Sequence, residues 1–214
     1  MASELLYITA LTLAVSGTAT LIASLIGIPL GSRLALRETV GGKATKVFLY
    51  TMYGFPPVLA GLVVYLMLSS DGPLGFLDLL FTPGAMIVAQ VLLITPIIMG
   101  LTLSAVSDVG SDVKDTARTL GANDRQIART VLREARVGVI TAVMVGFGRA
   151  IAEVGAVIIV GGNIQWHTRV LTTAIVLETR RGNFEYAVVL GAILLVMALS
   201  VYLVLSYYQE RDRR

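Results

Sequence analysis

Cysteine is absent from the 214-residue chain. That removes disulfides, thiolate metal sites and cysteine nucleophiles together, and leaves no cysteine usage from which to read a redox compartment. A single histidine, His167, excludes zinc sites that need two imidazoles. Charge is scarce as well. Asp, Glu, Lys and Arg make up 14% of the residues, against roughly a quarter in an ordinary soluble domain. No G-x-x-x-x-G-K-S/T run occurs, so the chain lacks that phosphate-cradling loop. What fills the space is apolar: 56% of residues are hydrophobic and the mean hydropathy is +0.80.

The apolar residues come in long runs. Residues 5–32, 47–70, 79–107 and 186–209 carry no charge at all, and each exceeds the roughly 20 residues needed to cross about 30 Å of hydrocarbon. Residues 137–160 are apolar except for Arg149 and Glu153, which stand four apart and so share one face of a continuous helix. The expected architecture is an all-α membrane protein of five transmembrane helices forming a single domain over 1–214. Its spans run about 5–32, 47–70, 79–107, 137–160 and 186–208, with a cytoplasmic loop at 108–136. The first run has no Lys or Arg ahead of it and is too long for a signal-peptide core, so it is expected to stay as a span.

Basic residues orient these spans. Thirteen of the seventeen fall on one side: Arg33, Arg37, Lys43 and Lys46, then six between Lys114 and Arg136, then Arg211, Arg213 and Arg214. The other side holds only Arg169, Arg180 and Arg181. Cytoplasmic loops collect Lys and Arg, which predicts an N-terminus outside and a C-terminus in the cytoplasm. The net charge of +3 and a pI near 9.3 therefore report topology in a cell membrane rather than nucleic-acid binding.

Small residues recur every four positions at Ala19, Ala23, Gly27 and Gly31, and again at Gly138, Ala142, Gly146 and Ala150. That spacing lets helix backbones approach closely. Pro56 and Pro57, after Gly54, should kink or break the start of the second span, and Pro96 should bend the third.

The loop 108–136 is amphipathic and reads as two short helices around Gly121. Ser111 is placed to cap the first, whose Val113, Ala117 and Leu120 form one apolar stripe. Gly121 supplies the left-handed conformation that ends it. Asn123 and Gln126 form a capping box for the second, which presents Ile127, Val131 and Ala135 and runs on into the fourth span. The stripe on the first helix needs a cover, either lipid headgroups or another protein.

Here the chain resembles a known family. The run Asp115-Thr116-Ala117-Arg118-Thr119-Leu120-Gly121-Ala122, followed by Ile127 and Leu132, resembles the EAA loop of permease subunits of type I binding-protein-dependent ABC importers (MetI- and ModB-like fold). It departs from the pattern at Asp115 and Thr116, and has Leu132-Arg133 where the family has Leu-Pro. Phe55-Pro56-Pro57-Val58-Leu59-Ala60-Gly61-Leu62, Gly72-Pro73-Leu74-Gly75, Ala89-Gln90 and the run from Arg149 to Ala156 look like the molybdate and tungstate branch. Gly161-Gly162-Asn163-Ile164, the run from Thr168 to Ile175, and Leu177-Glu178-Thr179 look most like tungstate permeases.

The resemblance implies a permease subunit that imports a tetrahedral oxyanion, tungstate or molybdate, as a homodimer. It implies ABC ATPase subunits docked on Asp115, Thr116, Ala117, Leu120, Gly121, Ala122, Ile127 and Leu132. It also implies a periplasmic or extracellular substrate-binding protein outside. ATP belongs to the partner, and no cofactor, metal or catalytic residue is expected in this chain. An importer of phosphate, sulfate or an amino acid is the alternative.

Arg149 and Glu153 are costly inside a bilayer and so carry a functional hypothesis. They fit an ion pair facing the bundle interior, or a pathway site where a guanidinium attracts a dianion. Asn163, Thr168 and Arg169 fit the outer face, either solvated or docking the binding protein, and His167 with Trp166 fits the membrane surface. An intramembrane enzyme would need a converging nucleophile and base. Arg149 and Glu153 are the only charged residues inside a span, which argues against it.

Overall fold

The computed structural model describes residues 2–36 and 42–211, and among these it is all helical, with no strand. The helices are α1 (Ala2–Leu36), α2 (Gly42–Tyr53), α3 (Pro57–Leu68), α4 (Pro83–Ser107), α5 (Ser111–Thr119), α6 (Asp124–Glu134), α7 (Arg136–Ile151), α8 (Gly155–Gly161), α9 (Leu171–Arg180) and α10 (Phe184–Arg211). Of the basic residues used above to orient the chain, Arg37, Arg213 and Arg214 lie outside the described residues, as do the side chains of Lys43, Lys46 and Arg211.

Three helices, α1, α4 and α10, are long and apolar enough to cross a membrane uninterrupted. The other two expected spans are each broken. Residues Val47–Tyr53 and Pro57–Leu68 meet at 93°, and α7 meets α8 at 57°. The count is therefore three unbroken spans, or up to five if each bent pair counts as one. The first break follows from sequence: Gly54 and Pro56 end α2, and Pro57 opens α3 in its first turn, where proline costs no helical hydrogen bond. The second has no proline. It corrects the expectation of a continuous helix over 137–160, and its cause lies in tertiary contacts described below. The third span also starts late, at Pro83, because Phe81 adopts φ 61° and gives its N–H to Val160 O at 2.9 Å. It then runs unbroken through Pro96.

The central rod is α4, with α1 packed along it and α7, α8, α2 and α3 on its other sides. The small-residue stripes make this possible. A Cβ on Gly31 would overlap the carbonyl oxygen of Met99, and one on Gly27 would lie 3.1 Å from the Met99 nitrogen. Where α7 meets α4, a Cβ on Gly146 would lie 2.6 Å from Ile98 Cγ1, and one on Gly138 would overlap Ala105. Dispersion between close-packed surfaces is what holds apolar helices together in lipid. The core accordingly runs Val15, Ala19 and Ala23 from α1 against Ala89, Leu93 and Ile94 of α4 and Ala156, Val157 and Val160 of α8.

At one end of the bundle α5 and α6 form an elbow between α4 and α7. At the other, the N-terminal end of α1 meets the segment 161–171. The stretch 161–185, between the fourth and fifth expected spans, contains α9. Its Leu171 and Ala174, three apart, are buried against Ile8 and Leu190.

Candidate functional site

The elbow is built locally. Asn123 Oδ1 accepts the Gln126 N–H at 3.0 Å, and Gln126 Oε1 accepts the Asn123 N–H at 2.8 Å, completing the expected capping box. Gly121 has φ 79°, and Ala122 N–H reaches back to Ala117 O at 3.0 Å, so the helix reversal is closed by its own backbone. The cap of α5 differs from expectation. Gly110 holds that position, and Ser111 is already the first helical residue. α6 also stops at Glu134 instead of continuing, with Ala135 separating it from α7.

The two apolar faces of the elbow have different fates. Ile127, Val131 and Ala135 are buried against Ala35, Leu49, Leu103 and Val106, which anchors α6 to the bundle, and Leu132 is half-buried. α5 is left outside. Leu120 is 81% exposed, Val113 and Ala117 are half-buried, and Asp115, Thr116 and Gly121 are exposed. Val113, Thr116, Ala117, Leu120 and Ala122 line an open hollow of about 490 Å³. An exposed leucine over an apolar hollow is a surface that another body can cover.

The second cluster sits in the α7–α8 break. Arg149 Nη1 lies 2.9 Å from Glu153 Oε2. The pair expected on one helix face exists, but across the end of α7 rather than along a continuous helix. Glu153 is 3% exposed and Arg149 34%. Glu153 is fixed on every side. Its Oε1 accepts the Ala156 N–H at 3.0 Å, its main-chain carbonyl accepts from Thr172 Oγ1 at 2.9 Å, and its own N–H donates to Ala150 O at 3.1 Å. From α4, Gln90 Nε2 donates to the same Ala150 carbonyl at 3.0 Å. Breaking a helix frees backbone groups that must find partners in a buried setting. Here Gln90, Thr172 and the Glu153 carboxylate supply them.

The third cluster is at the far end. Glu4 Oε1 lies 3.1 Å from Arg169 Nη1 and accepts from Gln165 Nε2 at 2.8 Å. Tyr7 packs on Trp166 with ring centroids 5.7 Å apart and donates to His167 O at 3.3 Å. Thr12 Oγ1 accepts the buried Leu171 N–H at 2.9 Å. Arg169 is thus paired rather than a solvated cation. Thr168 is wholly buried, a correction to its expected place on the outer face. Its hydroxyl donates to Gly161 O and accepts from Ile164 N–H, holding the turn closed. Asn163 is half-buried in the left-handed region at φ 52°. Arg181 pairs with Glu178 at 3.0 Å, and Arg180 is exposed.

Sequence pattern alone does not single out Glu4, Thr12 or Thr172, and assigns Gln90 no role. Gln90 carried a signal: a long amide deep in an apolar run is costly unless it has a defined partner. Thr12 and Thr172 carried none, because threonine in an apolar helix usually bonds its own preceding turn.

The fold matches solved transporter chains. One, from an inward-facing form of the MetNI methionine ABC transporter, superposes with TM-score 0.72 at 19% identity, over 98% of this chain and 95% of that one. Another, from an amino acid ABC transporter crystallised with histidines, gives 0.70 at 15%, over 98% and 94%. At the level of sequence, residues 27–214 match the model of the binding-protein-dependent transport system inner membrane component. A probable anion ABC transporter permease protein of Haloferax volcanii is 44% identical, over 97% of this chain and 91% of that protein. The tungstate uptake system permease protein TupB of Peptoclostridium acidaminophilum is 42% identical, over 94% and 88%. Sulfate transport system permeases stand further off, such as CysW of Synechocystis at 27%, over 85% and 71%. The chain belongs to the family of inner membrane components of binding-protein-dependent transport systems, and is an ABC importer permease.

Proposed function

We propose that this permease carries tungstate, with molybdate as the alternative cargo, into the cytoplasm. The observation that carries the reading is the 42% identity to a tungstate uptake permease over nearly the whole chain. Two copies form the pathway around a two-fold axis, since one bundle of three unbroken and two bent spans is too small to enclose a gated path. The N-terminus is outside and the C-terminus cytoplasmic. Each elbow docks an ABC ATPase subunit through Leu120 and the hollow beside it, and a substrate-binding protein delivers the anion to the end that carries Asn163 and Arg169. ATP hydrolysis stays in the partner. When the ATPase subunits close, each elbow is drawn inward, and α6, buried in the bundle through Ile127 and Val131, passes that displacement to α4 and α7 as a rigid-body rotation. Arg149 then meets the passing anion from the α7–α8 break.

The test is reconstitution of the permease with its ATPase and binding protein in vesicles. ATP-dependent accumulation of tungstate, beyond that of sulfate or phosphate, is expected. Accumulation of sulfate alone would assign the cargo of the more distant relatives instead. Orientation has its own test: cysteine at Ala122 should react with an impermeant maleimide only from the cytoplasmic side, and labelling from outside would reverse the topology.

A further inference from the structure

The Arg149–Glu153 pair is lopsided. Glu153 is nearly fully buried and is tied by Ala156 N–H on its carboxylate, Thr172 on its carbonyl and Ala150 O on its N–H. Arg149 is a third exposed, and among the described residues its guanidinium meets only Glu153 Oε2. The carboxylate is therefore the fixed half and the arginine the movable half. Arg149 lies thirteen residues along α7 from Arg136, about 20 Å at 1.5 Å per residue. A partly exposed guanidinium at that depth cannot face hydrocarbon, so its open side faces water or protein. The nitrogens turned away from Glu153 offer the planar fork that suits a tetrahedral oxyanion. An unopposed arginine there would hold a dianion and stall transport. With Glu153 at contact distance, the two charges nearly cancel for an approaching anion.

We infer that Glu153 is a resident counter-anion: it shares Arg149 with the passing oxyanion, keeping the subsite weak enough to release its cargo. Because Glu153 retains the Ala156 N–H when Arg149 turns away, the break keeps its shape through the exchange. This rests on the oxyanion-importer reading above.

The variant that separates charge from scaffold is Glu153→Gln, whose amide oxygen can still accept from Ala156. The permease, in nanodiscs with its ATPase and without binding protein, is titrated with tungstate, and bound tungsten is measured by mass spectrometry. Glu153→Gln should bind tungstate at least roughly tenfold tighter than wild type, while its uptake slows. The double variant Arg149→Gln/Glu153→Gln should lose the binding. An unchanged isotherm in Glu153→Gln, or equal binding by the double variant, overturns the inference.

If Glu153→Gln does not fold, wild type answers. Tungstate should slow phenylglyoxal modification of Arg149, read peptide by peptide, without slowing that of exposed Arg180. Equal protection of both, or of neither, refutes the subsite. Normal oxyanion uptake without the affinity gain sinks this inference alone. Failure of wild type to take up any oxyanion sinks both readings.

Discussion

Glycines 17 and 31 stand on the same helix, yet a single methyl group should have opposite effects at the two. A Cβ at Gly31 overlaps the Met99 carbonyl oxygen and comes within 3.1 Å of Thr102 Cβ. The obstruction is backbone, so no rotamer change relieves it. α4 has little room to shift either, because Ile98, next to Met99, is already held between Gly27 of α1 and Gly146 of α7. Overpacking of this kind costs about 1–3 kcal/mol. At Gly17 nothing lies within 4 Å of the added carbon, leaving only the backbone-entropy gain of Gly→Ala in a helix, about 0.5–1 kcal/mol. The same gain partly offsets the clash at Gly31. The two variants should then differ by roughly 2 kcal/mol, or about 4–8 °C in melting temperature for a chain of this size. Helical circular dichroism during heating in nanodiscs reads this directly. Gly17→Ala should melt at or above wild type and Gly31→Ala below it. Equal shifts in both would show that α1 and α4 are not held at the described separation, and the packing account would fail.

Three further outcomes follow from the geometry. Arg149→Ala leaves the Glu153 carboxylate buried without its cation and should cost about 3 kcal/mol, the lower end for a broken buried pair because the Ala156 N–H remains. Uptake should collapse, and Arg149→Gln/Glu153→Gln should restore the melting temperature but not transport; a single variant as stable as wild type would refute the pairing. Leu120→Asp lies on an exposed position and should leave melting unchanged while releasing the ATPase, measured as the subunit ratio after affinity purification; an unchanged ratio would remove Leu120 from the contact. Thr12→Val orphans the buried Leu171 N–H and should lower stability by about 1–3 kcal/mol, read by the same melts; an unaffected melt would mean the α1 contact contributes nothing.

Much of this molecule was already legible in one dimension. Uncharged runs longer than a bilayer dictate membrane helices, because no other use of so much apolar surface is stable in water. The four-residue spacing of Ala19, Ala23, Gly27 and Gly31 anticipated the close contact with α4, since a helix puts such residues on one stripe whatever its partner. Gly121 and the Asn123–Gln126 box set the elbow, because capping and left-handed backbone are local properties. Other features needed the third dimension. No proline lies near Ala152, and Gly148 and Gly155 only weaken a helix; the break exists because Gln90 from α4 and Thr172 from α9 arrive to bond the freed groups, residues 62 and 20 positions away from it by number. Thr168 looked like a surface residue and proved to be a buried clasp, because its hydroxyl finds Gly161 O and Ile164 N–H only once the chain has turned. Local chemistry specifies where helices start, stop and touch, whereas hydrogen bonds between distant residues decide which helix breaks and which polar group is hidden.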